Sequence, residues 1–198
     1  MSDTEPGPRE RILIAAATML GEDPTARLSV RAVAAKAGVS TGSLRHFFPT
    51  QTELLDTVIA MIYDVILPGD PLDDVDAPPA DRLVARLQQM LATTGTGEKA
   101  RDLWRSTYRA YIATPPSDDA TSNYLAFERL GRLRIQGLLD ELVDEGAIPG
   151  GDTEQRARFL TAVLDGLSIE RALPADAPRL AVEEDTLRIA VQAIIPEA

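Results

Sequence analysis

A chain of 198 residues is long enough to bury roughly 70% of its extended surface without a covalent or metal staple. Having no cysteine and only one histidine, His46, it excludes disulfide scaffolds, thiol nucleophiles, Cys-ligated zinc, iron–sulfur clusters and His-cluster metal sites. The formal charge of −11 ordinarily counts against a polyanionic partner, so where the charges fall matters more than their sum.

Met1 to Pro8 carries no basic segment followed by an apolar one, and is expected to be a disordered lead (1–8) rather than a secretion signal. No apolar run is longer than Val58 to Tyr63, which falls far short of the roughly 20 residues that span a bilayer. No membrane partner and a cytoplasmic location are therefore expected. Ile12, Leu13, Ala16, Ala17 and Leu20 recur at helical spacing, as do Leu54, Leu55, Val58, Ile59 and Ile62. Leu83, Val84, Leu87, Met90 and Leu91 form a third such stripe, and Phe159, Leu160, Val163, Leu164 and Leu167 a fourth. No segment alternates with the β-branched period of a strand. Prolines at Pro24, Pro49, Pro68, Pro71, Pro78, Pro79, Pro115, Pro116 and Pro149 punctuate these stretches. The expected fold is all-α, with about nine helices as a rough count.

Residues 1–52 hold six basic and five acidic side chains, whereas residues 53–198 hold 14 basic and 26 acidic. From Pro24 to Thr52 there are four basic residues and no acidic one. A window cleared of carboxylates in an acidic protein points to a polyanion held there.

Inside that window Ser29 stands where a helix N-cap is wanted, before Val30 to Ala37. Gly38 supplies the left-handed residue that ends such a helix, and Ser40 caps the next. Two short helices around a Gly-containing turn make a helix–turn–helix. The second opens with the small polar residues Thr41, Gly42 and Ser43, which allow close approach to base edges. Arg45 and His46 follow one turn later, within reach of phosphates or bases. Thr50-Gln51-Thr52-Glu53 reads as a capping box ahead of the Leu54 stripe.

These residues carry a resemblance. Ile12 to Leu20, the block VRAVAAKAGVSTGSLRHFF and the sequence TQTELL, within residues 9–56, resemble the DNA-binding head of the tetracycline-repressor (TetR) family of bacterial one-component regulators. Many members have Tyr-Tyr-His-Phe where this chain has Arg45-His46-Phe47-Phe48, and lysine where it has Gln51. The resemblance implies a three-helix helix–turn–helix head over residues 9–50 and a connecting helix at 51–67. A linker at 68–80 and a ligand-binding and dimerisation bundle over 81–198 complete that plan. The expected DNA-binding residues are Ser29, Arg31, Thr41, Gly42, Ser43, Arg45, His46, Thr50 and Gln51. The expected partners are a double-stranded, palindromic DNA operator, a small-molecule effector and a second copy of the chain, the effector releasing a repressor.

Trp104, Tyr108 and Tyr111 are spaced along one helix face, and with Met90 and Phe127 they are candidates for a cavity wall. Core packing explains the same stripe. Asp152 to Leu173 and Val182 to Ile195 are the candidate dimer helices, through Phe159, Val163, Gly166, Leu167, Ile189 and Ile194. Glycine inside a helix costs about 1 kcal/mol relative to alanine, so Gly166 points to close approach of another backbone, a mid-helix glycine without a special role being the alternative.

Enzymatic readings are weaker. Asp70, Asp73, Asp74 and Asp76 lie among prolines without EF-hand spacing, and read as a solvated loop. Gly95-Thr96-Gly97-Glu98-Lys99 lacks the phosphate-loop spacing and a preceding strand. A helical protein-interaction module is the other rival, against which the acid-free window argues. No catalytic residue, metal or cofactor is expected.

Overall fold

The computed structural model describes residues 6–67, 76–174 and 182–195. Helices alone make up the regular structure of these residues, nine in number among them: α1 Pro8–Glu22, α2 Val30–Ala37, α3 Thr41–Phe47, α4 Gln51–Ile66, α5 Pro79–Ala92, α6 Gly97–Tyr111, α7 Asp118–Asp144, α8 Thr153–Ala172 and α9 Glu183–Ile194. Residues 1–5 of the expected lead and 68–75 of the expected linker, with Asp70, Asp73 and Asp74, lie outside the described residues.

The caps explain where several helices begin and end. Ser29 Oγ accepts from the amide of Ala32, Ser40 Oγ from that of Ser43, and Asp152 from that of Gln155. Each oxygen satisfies one of the orphan donors at a helix start. Gly38, at φ 63°, closes α2 by donating its amide to Ala34 and Ala35. That left-handed conformation is the one a side chain would resist. Thr50 Oγ1 likewise accepts from the Glu53 amide at 3.1 Å. Among the described residues Glu53 returns no hydrogen bond to Thr50, so one half of the expected capping box forms.

The chain divides into two compact units: Met1–Ile66 with Arg109–Leu130, and Leu67–Tyr108 with Gly131–Ala198. The division is discontinuous in sequence, unlike the expected break at 68–80, because the end of α6 and the first half of α7 group with the head.

The first unit is built on Ile12, Leu28, Val33, Leu44, Leu54, Val58 and Ile59, each at most 1% exposed. Burying each such side chain is worth about 1.5–3 kcal/mol. Phe48 lies in this core and Phe47 packs against it. From α7, Ala126 completes the core, and Asn123, 4% exposed, donates to the carbonyls of Pro24 and Ala26, both at 3.0 Å. Tyr111 Oη donates to the Pro24 carbonyl as well. The α1–α2 loop is thereby held by side chains nearly 100 positions away in sequence. Burial raises the Tyr111 pKa, with Asp23 and Tyr124 adding to the shift.

The second unit packs α5, α7, α8 and α9 around Leu83, Leu87, Ile135, Leu139, Leu142, Leu160 and Leu187. Two ion pairs fasten its ends. Arg82 grips Glu145 with two hydrogen bonds, at 2.6 and 3.0 Å. Arg171 meets Glu183 at 2.6 Å and donates to the carbonyls of Leu91 and Gly95.

Candidate nucleic-acid interface and ligand cavity

Helix α3 has two opposed faces. Leu44, 1% exposed, points into the first core, while Thr41, Gly42, Arg45 and His46 are exposed and Ser43 is half-buried. Residues four apart share a helix face, so Thr41 lies over Arg45 and Gly42 over His46. A Cβ built on Gly42 meets only Ser40 Oγ, at 3.7 Å, an ordinary contact. The bare backbone at this position is therefore no requirement of internal packing. His46 sets its ring edge-on to Phe47, with centroids 5.2 Å apart, and stays exposed.

The neighbouring cations divide into two kinds. Lys36 is paired with Glu22 at 2.7 Å, and Arg27 lies 3.8 Å from Asp119. Arg31, exposed on the first turn of α2, and Arg45 make no ion pair among the described residues. Ser29 is half-buried and occupied in capping α2. Thr50 and Gln51, exposed at the start of α4, present helix amides suited to an anion. Arg9 lies over the Phe48 ring, 5.5 Å from its centroid, which ties the start of α1 to the end of α3.

In the second unit a cavity of about 290 Å³ is lined by Leu67, Arg86, Met90, Arg134, Gly137, Leu138 and Glu141. Of the five side chains proposed for a cavity wall, Met90 lines it. Trp104 is half-buried and donates from its ring nitrogen to Ser168 at 3.1 Å, so it is fastened to α8. Tyr108 is 54% exposed. Tyr111 and Phe127 belong to the first unit, where Tyr111 holds the α1–α2 loop and Phe127 packs against the core. Arg86, Arg134, Gly137 and Glu141 escaped the sequence reading. One signal was present: Arg82 and Arg86, four apart, interrupt the apolar stripe of α5, and both are at most 6% exposed.

Among the candidate dimer residues, Phe159 and Ile189 are exposed at 44% and 67%, and Gly166 is exposed with nothing within 4 Å of a Cβ built on it. Leu167 turns inward and belongs to the core of its own chain, with Val163 and Ile194 packed partly against that core. Helix α8 therefore has two apolar faces. Phe159, Ala162, Gly166 and Ile169 line the outer one. Among the described residues no cluster of His, Cys, Asp or Glu could hold a metal, and no helix is long and apolar enough to cross a membrane.

Comparison with known proteins gives this geometry a family. The model for bacterial regulatory proteins of the tetR family matches residues 12–58. That for the C-terminal region of BetI-type transcriptional repressors matches 79–196, more than half of the chain. The chain belongs to the TetR family of transcriptional regulators. It is 28% identical over 150 residues to the HTH-type transcriptional regulator PksA of Bacillus subtilis (strain 168), covering 73% of this chain and 69% of that one. Its fold is similar to the multidrug binding protein EbrR complexed with malachite green, with TM-score 0.52 and 26% identity. That match covers 97% of this chain and all of EbrR. RolR in complex with resorcinol shares the fold at TM-score 0.53 and 17% identity, over 96% of this chain and 87% of RolR.

Proposed function

We propose that the protein is a cytoplasmic, homodimeric repressor that leaves a palindromic operator when a small molecule enters its second unit. The observation that carries this reading is the outward face of α2 and α3: Arg31, Thr41, Gly42, Arg45 and His46 exposed together in a stretch without carboxylates. Thr41, Gly42 and Ser43 address base edges, while Arg31, Arg45, His46, Thr50 and Gln51 hold phosphates. Ser29 contributes by fixing the start of α2.

Two copies pair through the outer faces of α8 and α9, with Phe159, Gly166 and Ile189 in the seam. Pairing sets the two recognition helices about 34–36 Å apart, as successive major grooves require. The acidic remainder is repelled by DNA in general, so that only the head is attracted. EbrR, 26% identical, binds malachite green, which supports a ligand-responsive second unit here. The effector must prefer the dimer whose head spacing does not fit the operator. Turning a 1:99 population into 99:1 takes about 5.5 kcal/mol of differential affinity.

The test is titration of the protein into labelled duplexes drawn from the DNA flanking its own coding region, at several salt concentrations. One duplex should bind far more tightly than scrambled DNA, with affinity falling steeply as salt rises. Equal affinity for all duplexes would refute the operator reading.

A further inference from the structure

We infer that Arg9 is a further phosphate contact of the DNA-binding head, brought from α1 to the end of the recognition helix. The inference rests on the reading of that head as a DNA-binding one. It adds a cation that stands outside the carboxylate-free window in sequence but reaches the edge of that window in the fold.

Placement comes first. The guanidinium carbon of Arg9 sits over the Phe48 ring, 5.5 Å from its centroid, and Phe48 is the residue that ends α3. Thr50 and Gln51 follow two and three positions later, at the start of α4. Three residues of chain span at most about 11 Å. Arg9 therefore stands beside the corner that joins Arg45 and His46 to Thr50 and Gln51, residues that the proposed function already sets against the DNA backbone.

The state of the side chain suits the task. Arg9 is exposed, and among the described residues its side chain makes no ion pair or hydrogen bond. Contact with an aromatic face restrains a guanidinium without using any of its five N–H donors. A charged fork whose position is set in advance loses less freedom on meeting a phosphate than a loose one does. Two carboxylates lie close in sequence to this corner, Glu10 on α1 and Glu53 on α4. Both are exposed, so water screens them, and neither pairs with Arg9.

The position does α1 itself no service. Arg9 and Glu10 lie in the first turn, behind Gly7 as the N-cap and Pro8. The amide end of a helix carries positive partial charge, which favours Glu10 there and disfavours Arg9. An arginine set against the dipole of its own helix serves either the Phe48 contact alone or an anion outside the chain as well. Salt dependence separates the two.

The experiment measures the affinity of the full-length parent, Arg9→Gln and Arg9→Lys for the preferred duplex and for scrambled DNA across a salt series. A phosphate contact carries no sequence information. Arg9→Gln should therefore weaken both duplexes by the same factor, at least about threefold at roughly 0.1 M salt, and lower the salt slope by about 0.9 per head. Arg9→Lys keeps the charge and should keep the slope. Arg9 is exposed, so neither change threatens the fold. An unchanged slope in Arg9→Gln, or an equal loss of slope in Arg9→Lys, would overturn the inference. A loss confined to the preferred duplex would overturn it too, leaving Arg9 as a prop for α3 and nothing more. Equal binding of every duplex by the parent would defeat the operator reading, while the slopes on those same duplexes would still decide this one. A parent that binds no duplex would defeat both.

Discussion

Asn123 donates from its side-chain amide to the Ala26 carbonyl at 3.0 Å, so a residue of α7 closes the loop that leads into α2. The same nitrogen serves Pro24 at 3.0 Å, and Tyr111 reaches that carbonyl too. These hydrogen bonds add to the burial of Leu28 in holding the loop, and Ser29 and Arg31 follow directly from it.

Replacing Asn123 with alanine should therefore cost about 1–3 kcal/mol, because two carbonyls lose a buried donor. DNA affinity should fall with it, since the start of α2 is no longer fixed. Chemical denaturation and duplex titration on the same sample check both; a stable variant with unaltered DNA affinity would contradict the role.

Gly42→Ala separates folding from binding. The new methyl meets only Ser40 Oγ at 3.7 Å, so stability should hold or rise by up to about 1 kcal/mol. Operator affinity should drop, because the added carbon stands between α3 and the floor of the groove. Undiminished affinity would remove Gly42 from the contact surface.

Arg45→Ala should weaken all duplexes nearly uniformly if the guanidinium meets a phosphate, and reduce the salt slope by about 0.9 per head. If Arg45 instead reads a base, the loss should concentrate on the preferred duplex. A slope and affinity both equal to those of the parent would exclude either contact.

At Gly166 the chain itself leaves open space. Gly166→Leu should leave the isolated subunit as stable as before, or more so, and weaken association at least tenfold where a partner helix presses on that position. Sedimentation across a dilution series reads the change. Phe159→Asp, on the same exposed face, should act in the same direction.

The Arg82 guanidinium bonded to Glu145 holds that carboxyl below its ordinary pKa, against a smaller opposing effect of desolvation. A depressed carboxyl stabilises the fold above its unfolded pKa, about 4.3, and that contribution is lost as pH falls through the folded value. Glu145→Gln should therefore flatten the acid limb of stability below about pH 5. An acid limb of unchanged steepness would assign the loss to other carboxylates.

The head was legible because its determinants are local. Ser29, Gly38, Ser40 and Thr50 act within three or four positions of themselves, and a window without carboxylates can be read directly. The cavity was not, since Arg86, Arg134 and Gly137 converge from two helices and no spacing rule joins them. Trp104, Tyr108 and Tyr111 share a helix face, yet they finish in different surroundings: one bonded to Ser168, one exposed, one in the other unit. Leu167, expected at the dimer face, lies in the core of its own chain. A helix with two apolar faces shows the period twice, and periodicity does not say which face belongs to the partner.

The bare backbone at Gly42 has a bearing on how this chain can change over generations. A methyl group would cost the molecule nothing in its own architecture, so selection for folding alone would let alanine drift in. Only a demand from beyond the protein surface would keep it out. In a library of random variants, depletion of alanine at that position among functional survivors, set beside its tolerance among merely soluble ones, would register the groove without any need to see it.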